Sequence, residues 1–268
     1  KVVLAAAASL SLIFCASSQK KKPRDPEKDP QYQYEKGVVA MRYELIDQAI
    51  EYFNQAIALD PLHAPSYNLL GYAQFKKKNF GAAAQSYQKY LGLKPNDSEA
   101  RANLGIVYEE LGMMLQAEAE YQKGFATDGN PNAAFGLAKV YYKQNKLEGA
   151  LDYVKKAVQK TPGSAAFLNL QGVVLNEMGR YAEALSSFER ALKITPHDLY
   201  LGVNLGIAYI NNKEPAKARE IFEKILPEVQ DDALKAKINE YLRLIKDNIE
   251  RLGWIELAAG RSLSSPEP

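Results

Sequence analysis

A repeat of 34 residues constrains this chain more than any other feature. A small residue recurs at Gly37, Gly71, Gly105, Ala138, Gly172 and Gly206, with gaps of 34, 34, 33, 34 and 34. Twelve residues after each of these markers stands an alanine: Ala49, Ala83, Ala117, Ala150, Ala184 and Ala218. Four further on comes a large apolar residue: Phe53, Tyr87, Tyr121, Val154, Phe188 and Phe222. Eight beyond that stands Pro61, Pro95, Pro162 or Pro196, with Gly129 in the third unit and Gln230 in the sixth. A unit this short cannot bury its own apolar face. Stacked neighbours bury it instead, so the chain is committed to a one-dimensional array.

Each unit carries a helical pattern twice. In the fifth, the spacing predicts one helix over 167–178, closed by Gly179, and another over 181–194, ended by Thr195-Pro196. Glycine accepts the left-handed conformation at a helix end. Proline keeps the next helix from running on. Gly172 and Ala184 are small so that the paired helices can approach closely, and Phe188 fills the space left between them. A larger side chain at Ala184 would overpack that contact, at about 1–3 kcal/mol.

The period and its landmarks resemble the tetratricopeptide repeat family over residues 31–230, as six repeats. The resemblance implies an all-α fold, a right-handed α-solenoid superhelix of six helix-turn-helix units. A last unit needs a cap. Residues 231–253 supply a candidate helix, with Leu234, Ile238, Leu242, Ile245, Ile249 and Leu252 on one face and Lys235, Lys237, Glu240, Arg243 and Lys246 on the other. Residues 254–268 form a C-terminal tail in which Trp254 and its neighbours are expected against the cap, with a frayed end from Arg261.

In tetratricopeptide superhelices the first helix of each pair lines the concave groove. The resemblance places the groove residues three before, one after and four after each marker, which share one helical face. Here they are Tyr34, Val38 and Met41; Asn68, Tyr72 and Phe75; Ala102, Ile106 and Glu109; Phe135, Lys139 and Tyr142; Asn169, Val173 and Asn176; Val203, Ile207 and Ile210. The aromatic members are typical anchors for a protein partner. Asn68 and Asn169 suit hydrogen bonding to a guest backbone. The expected partner is a protein or peptide in this groove. Co-chaperone members of the family grip a C-terminal carboxylate with a basic pair. The first two units offer Tyr34, Val38, Asn68 and Tyr72 there, so that mode is set aside. Lys139, Lys143, Glu109 and Glu110 are expected to form a solvated edge.

The N-terminus points to export. Lys1 precedes about a dozen apolar or small residues ending at Cys15, the pattern of a secretory signal peptide over 1–18 and short for a membrane span. Leu12-Ile13-Phe14-Cys15 resembles a bacterial lipobox, which implies lipidation of Cys15, although Phe14 stands where that family has a small residue. The alternative is a signal-peptidase cut after Ser18. Residues 19–30 are charged and carry three prolines, the composition of a disordered linker. Signal, linker, six repeats and cap together resemble the pilotin lipoproteins of type IV pili, which implies a role in secretin assembly at the outer membrane. A soluble periplasmic scaffold for envelope or cell-wall enzymes is the other reading.

Several functional classes receive no support. The net charge is +2, a weak footprint for a nucleic-acid binder. Membrane association is expected only through a lipid on Cys15. With one cysteine there is no intramolecular disulfide. His63 and His197 each sit beside an inter-helix boundary, and zinc needs several clustered ligands. No nucleophile–base–acid set, phosphate loop or dinucleotide fingerprint is present, so neither enzyme nor cofactor is expected. An enzyme would show a buried cluster of ionisable groups in a cleft, and none is expected.

Overall fold

The computed structural model describes residues 25–250, with side chains through 247. Cys15, the rest of the apolar N-terminal run, Lys20–Arg24 and the tail with Trp254 lie outside the described residues. Among those described, thirteen α-helices and two short 3-10 turns form a right-handed solenoid. The first helices of the six units are α1 (Pro30–Arg42), α3 (Ala64–Lys76), α5 (Ser98–Glu110), α7 (Pro131–Lys143), α9 (Ala165–Glu177) and α11 (Leu199–Asn211). The second helices are α2 (Ile46–Leu59), α4 (Phe80–Leu93), α6 (Met114–Asp128), α8 (Leu147–Lys160), α10 (Tyr181–Ile194) and α12 (Pro215–Ile225). Helix α13 (Asp232–Glu250) follows. Each helix packs on its neighbours in the chain, and the buried residues form clusters running along the stack.

The marker residues work by steric complementarity. At Gly37, Gly105, Gly172 and Gly206 an added Cβ would lie 2.4–2.6 Å from the ring of Phe53, Tyr121, Phe188 or Phe222 of the same unit. Gly71 is looser against Tyr87, at 3.0 Å. The fourth unit solves the same packing problem differently. It carries Ala138, and the opposing residue is Val154, with both fully buried. A methyl on one helix is balanced by a smaller side chain on the other.

Six identical turns join first helix to second. In each, the middle residue is left-handed: Glu44, Lys78, Gly112, Asn145, Gly179 and Lys213, with φ between 58° and 74°. The next residue donates its N–H five residues back, as Leu45 N to Ala40 O at 2.9 Å and Lys146 N to Tyr141 O at 2.9 Å. This is the Schellman closure, which satisfies carbonyls that the helix end leaves open. Gly179 takes the left-handed conformation expected of it, and α10 ends at Ile194 as its Thr-Pro sequence requires.

The single gap of 33 has a structural cause. Four residues separate second helix from next first helix at 60–63, 94–97, 161–164 and 195–198, but two do so at Gly129-Asn130. Gly129 closes α6 at φ 71°, and the Asn130 side chain caps α7 by accepting from Asn132 N and Ala133 N. Helix α6 is one residue longer than the other second helices of full length, and the link is two shorter.

The described part of the expected linker, residues 25–30, is structured. Pro26–Lys28 form a 3-10 turn capped by Asp25, and Asp29 caps α1. Gln33 donates to Glu27 at 2.8 Å and Lys36 pairs with Glu27 at 3.2 Å, fastening the turn to α1. Both contacts hold the Glu27 carboxyl below the usual range, Gln33 contributing more.

Candidate partner-binding groove

The expected groove residues do not share one fate. In the first two units they remain accessible. Tyr72 is 43% exposed, and Val38, Met41, Asn68 and Phe75 are half-buried around it. Tyr34 is also half-buried, with its ring 5.4 Å from that of His63 and 6.0 Å from that of Phe53. His63 itself is held by Ser66 Oγ at 2.8 Å from Nδ1. It is thus a packing residue at the head of α3 rather than a free loop side chain. Phe75 leans on Phe80 at 5.6 Å. Ile106 continues the half-open surface into the third unit.

At the third unit the inner face closes. At the short Gly129-Asn130 link α7 packs on α5, the most extensive contact between any two first helices described. Ala102 is fully buried, and Gly136 of α7 leaves room for the Tyr121 ring, which an added Cβ would meet at 2.4 Å. Tyr121 is therefore clasped between Gly105 and Gly136.

This closure overturns one expectation. Glu109 is not part of a solvated edge but the buried centre of an ion-paired cluster. Tyr121 donates its hydroxyl to Glu109 Oε2 at 2.8 Å, Lys139 Nζ donates to the same oxygen at 3.1 Å, and Lys143 Nζ stands 3.7 Å from Oε1. The carboxylate is almost wholly out of solvent. Burying an ion is tolerable only with such partners. The cluster contains a carboxylate, two ammonium groups and a phenol that engage one another, which makes a clamp between α5 and α7. A signal was available in the sequence. Four residues after the markers stand Met41, Phe75, Tyr142, Asn176 and Ile210, and Glu109 is the charged member of that series.

Beyond the clamp the inner positions of the fourth unit and Asn169 are half-buried, and the remaining ones are buried. Phe135 packs tilted against Phe167 at 4.8 Å, with Lys139 over its ring at 5.8 Å. Tyr142 is half-buried. Asn169 accepts from Asn204 at 3.0 Å, and Asn176 accepts from Asn211 at 3.0 Å, so amides bridge successive first helices. Val173 and Asn176 are 3% and 4% exposed. They are core residues, not groove residues, and Val173 belongs to the central buried cluster. Val203, Ile207 and Ile210 are buried in one cluster with Leu234, Ile238 and Ile245 of α13. The C-terminal helix thus covers the last unit's inner face as well as its end.

Among the described residues no group of three His, Cys, Asp or Glu side chains could hold a metal ion, and no helix is long and apolar enough to cross a membrane. The arrangement is that of a helical-repeat scaffold for protein–protein interaction. Tetratricopeptide repeat models match residues 34–98, 102–165, 135–199 and 175–238, and the chain belongs to the tetratricopeptide repeat family.

The relatives are diverse. The chain is 28% identical over 226 residues to human protein O-mannosyl-transferase TMTC1, covering 82% of this chain and 24% of that protein. It is 31% identical over 134 residues to the type IV pilus assembly protein PilF of Pseudomonas aeruginosa, covering 48% of this chain and 52% of that one. The chain thus spans about a quarter to a half of these relatives. Among solved structures, the Cut9–Hcn1 assembly of APC/C superposes with a TM-score of 0.69 at 18% identity, covering 83% of this chain and 44% of that one. P. aeruginosa PilF superposes at 0.59 and 20%, covering 70% and 91%. YrrB, described as a tetratricopeptide protein with an unusual peptide-binding site, gives 0.56 and 23%, covering 70% and 97%. These structural likenesses establish the fold.

Proposed function

We propose that the chain is a non-enzymatic adaptor of the bacterial envelope that seats a partner polypeptide in the open part of its groove, over units one and two and as far as Ile106. The observation that carries this is the exposed Tyr72 ring on an inner face where Val38, Met41, Asn68, Phe75 and Ile106 are half-buried, while Val173, Asn176, Val203, Ile207 and Ile210 of units five and six are buried. A large aromatic ring ringed by partly covered apolar groups, with an amide beside it, is the composition of a binding hot spot. Peptide and protein segments, rather than nucleic acid, suit so weakly charged and apolar a surface.

The cellular setting rests on sequence. The signal-like N-terminus and Cys15 support export and a lipid anchor in the outer membrane facing the periplasm. Similarity to a type IV pilus assembly protein supports a role in assembling a secretin or another pilus component. Photo-crosslinking from position 72 in the full chain would capture the partner. Tyr72→Ala should weaken its binding by about 10–30-fold without changing the fold, and unchanged binding would remove the groove from consideration. Deleting the gene should abolish secretin multimers, and their persistence would end the pilus role. Fatty-acid labelling lost in Cys15→Ser would establish the anchor, whereas a chain that never takes the label is a soluble periplasmic scaffold.

A further inference from the structure

Helix α1 exposes a face that the other first helices bury at all positions but Gln171 of α9. On α5, Ala100, Leu104 and Val107 pack against Ala83, Ala84, Tyr87 and Leu91 of α4, the helix before it. On α3 the same register positions are Ser66, Leu70 and Ala73, all buried. One repeat earlier, 34 residues back, these positions are Tyr32, Lys36 and Val39. Lys36 turns to Glu27 and lies over the Tyr52 ring at 4.5 Å. Tyr32 and Val39 are 39% and 50% exposed, and Tyr43 and Leu45, at the end of the same stripe, are 71% and 46% exposed. Solenoids ordinarily close their ends with polar faces. Among the described residues α13 presents Lys235, Glu240, Arg243 and Lys246 outward, whereas α1 presents this apolar stripe.

We propose that this end pairs with the same end of a second copy of the chain, the two α1 helices lying antiparallel about a two-fold axis near Val39. Two alternatives fit less well. The segment one repeat before α2, residues 12–25, has Cys15 and Gln19 where the second helices have alanine and a large apolar residue, and it contains Pro23. It lacks the pattern that docks onto these positions. A head-to-tail stack would press the outward charges of α13 into an apolar contact and leave them without water.

The charges flanking the stripe favour the two-fold arrangement. Glu35 and Arg42 lie on one side of Val39, seven residues apart and so on the same helical flank, and both are exposed. When two such helices run antiparallel, each flank meets its own equivalent in the opposite direction. Glu35 of one copy then faces Arg42 of the other, twice, while Tyr32 meets the Tyr43–Leu45 end. Such a patch is self-complementary, as an isologous contact requires. A pair of helices this short buries on the order of 1,000 Å², the lower end for specific association, so the dimer belongs in the micromolar range.

Sedimentation of the full chain over about 1–100 µM tests this, since a contact of that size dissociates within the window. The expected result is a monomer–dimer equilibrium. Val39→Asp raises the dissociation constant by at least about 30-fold, and since Val39 is half in solvent the variant keeps its fold by circular dichroism. Glu35→Arg or Arg42→Glu alone weakens the dimer about tenfold, and the double exchange restores it. A chain that stays monomeric throughout, a dimer indifferent to Val39→Asp, or single exchanges that the double exchange does not rescue would each overturn the proposal. Tyr72→Ala, on the inner face of α3, leaves the equilibrium unchanged, so the test is independent of the groove.

Discussion

Replacing Gly172 by alanine probes the packing rule on which the whole stack depends. The new methyl would sit 2.6 Å from Phe188 Cε1 and 2.8 Å from its Cδ1 and Cζ. Phe188 has no exposed surface, so its ring cannot swing into solvent. Overpacking of this kind costs about 2 kcal/mol, offset by about 1 kcal/mol from the better helix propensity of alanine, for a net loss of about 1 kcal/mol. Phe188→Val alone leaves a partial void where the ring lay and costs about 2.5 kcal/mol. Together the two changes recreate the pair that the fourth unit already has in Ala138 and Val154. The methyl then occupies space the ring vacated, and the double variant should lose only about 1.5 kcal/mol, a favourable coupling of about 2 kcal/mol. Urea denaturation of the four proteins, followed by far-ultraviolet circular dichroism, measures this cycle. Losses that simply add, to within about 0.5 kcal/mol, would show that marker and ring do not compete for the same space.

Three further outcomes follow from the geometry. Lys78 is held at φ 62° at the centre of its turn. Lys78→Gly should stabilise the chain by about 0.5 kcal/mol in thermal unfolding, the relief of left-handed strain outweighing the added freedom of the unfolded chain. Glu109→Ala removes the acceptor on which Tyr121 and Lys139 converge and should cost about 2–4 kcal/mol, whereas Glu110→Ala, exposed one residue on, should change stability by less than about 0.5 kcal/mol. Burial, then the bond to Asp97 at 2.6 Å, pushes the Tyr90 hydroxyl up to about 12, and burial with Glu189 does the same for Tyr209. A raised value means the folded state holds the proton more tightly. That stability is fully present below about pH 10, where unfolded tyrosine ionises, and is lost as pH approaches 12. Ultraviolet titration should show these two phenols ionising late, and Tyr90→Phe should flatten part of the alkaline loss in urea stability.

The array was legible because its landmarks act locally. A glycine or alanine opposite a ring, an alanine twelve residues on and a proline after the second helix each have one steric meaning wherever they occur. The turns were less legible, since Glu44, Lys78 and Lys213 take the left-handed conformation under the force of the closure rather than by residue preference. The groove was only half legible. Val38 and Val173 occupy the same position in their units, and nothing in either residue says that a neighbouring helix covers the second. One signal does distinguish the closed end. Helix α11 runs Leu-Tyr-Leu-Gly-Val-Asn-Leu-Gly-Ile-Ala-Tyr-Ile-Asn without a charged residue, and a helix apolar on every side is a buried one. The burial of Glu109 depended on the 33-residue gap, whose effect on the spacing of α5 and α7 is a matter of three dimensions.

The two-residue link at Gly129-Asn130 sets a ruler for any guest. Upstream of it, adjacent first helices are separated by roughly 10 Å, so the accessible trough from α1 to α5 runs for about 20 Å. An extended strand of polypeptide covers that distance in about six residues. In the proposed groove a longer ligand would reach the Glu109–Lys139 bridge, so that reading calls for a short motif, and lengthening this link by two residues would be the direct way to extend its reach.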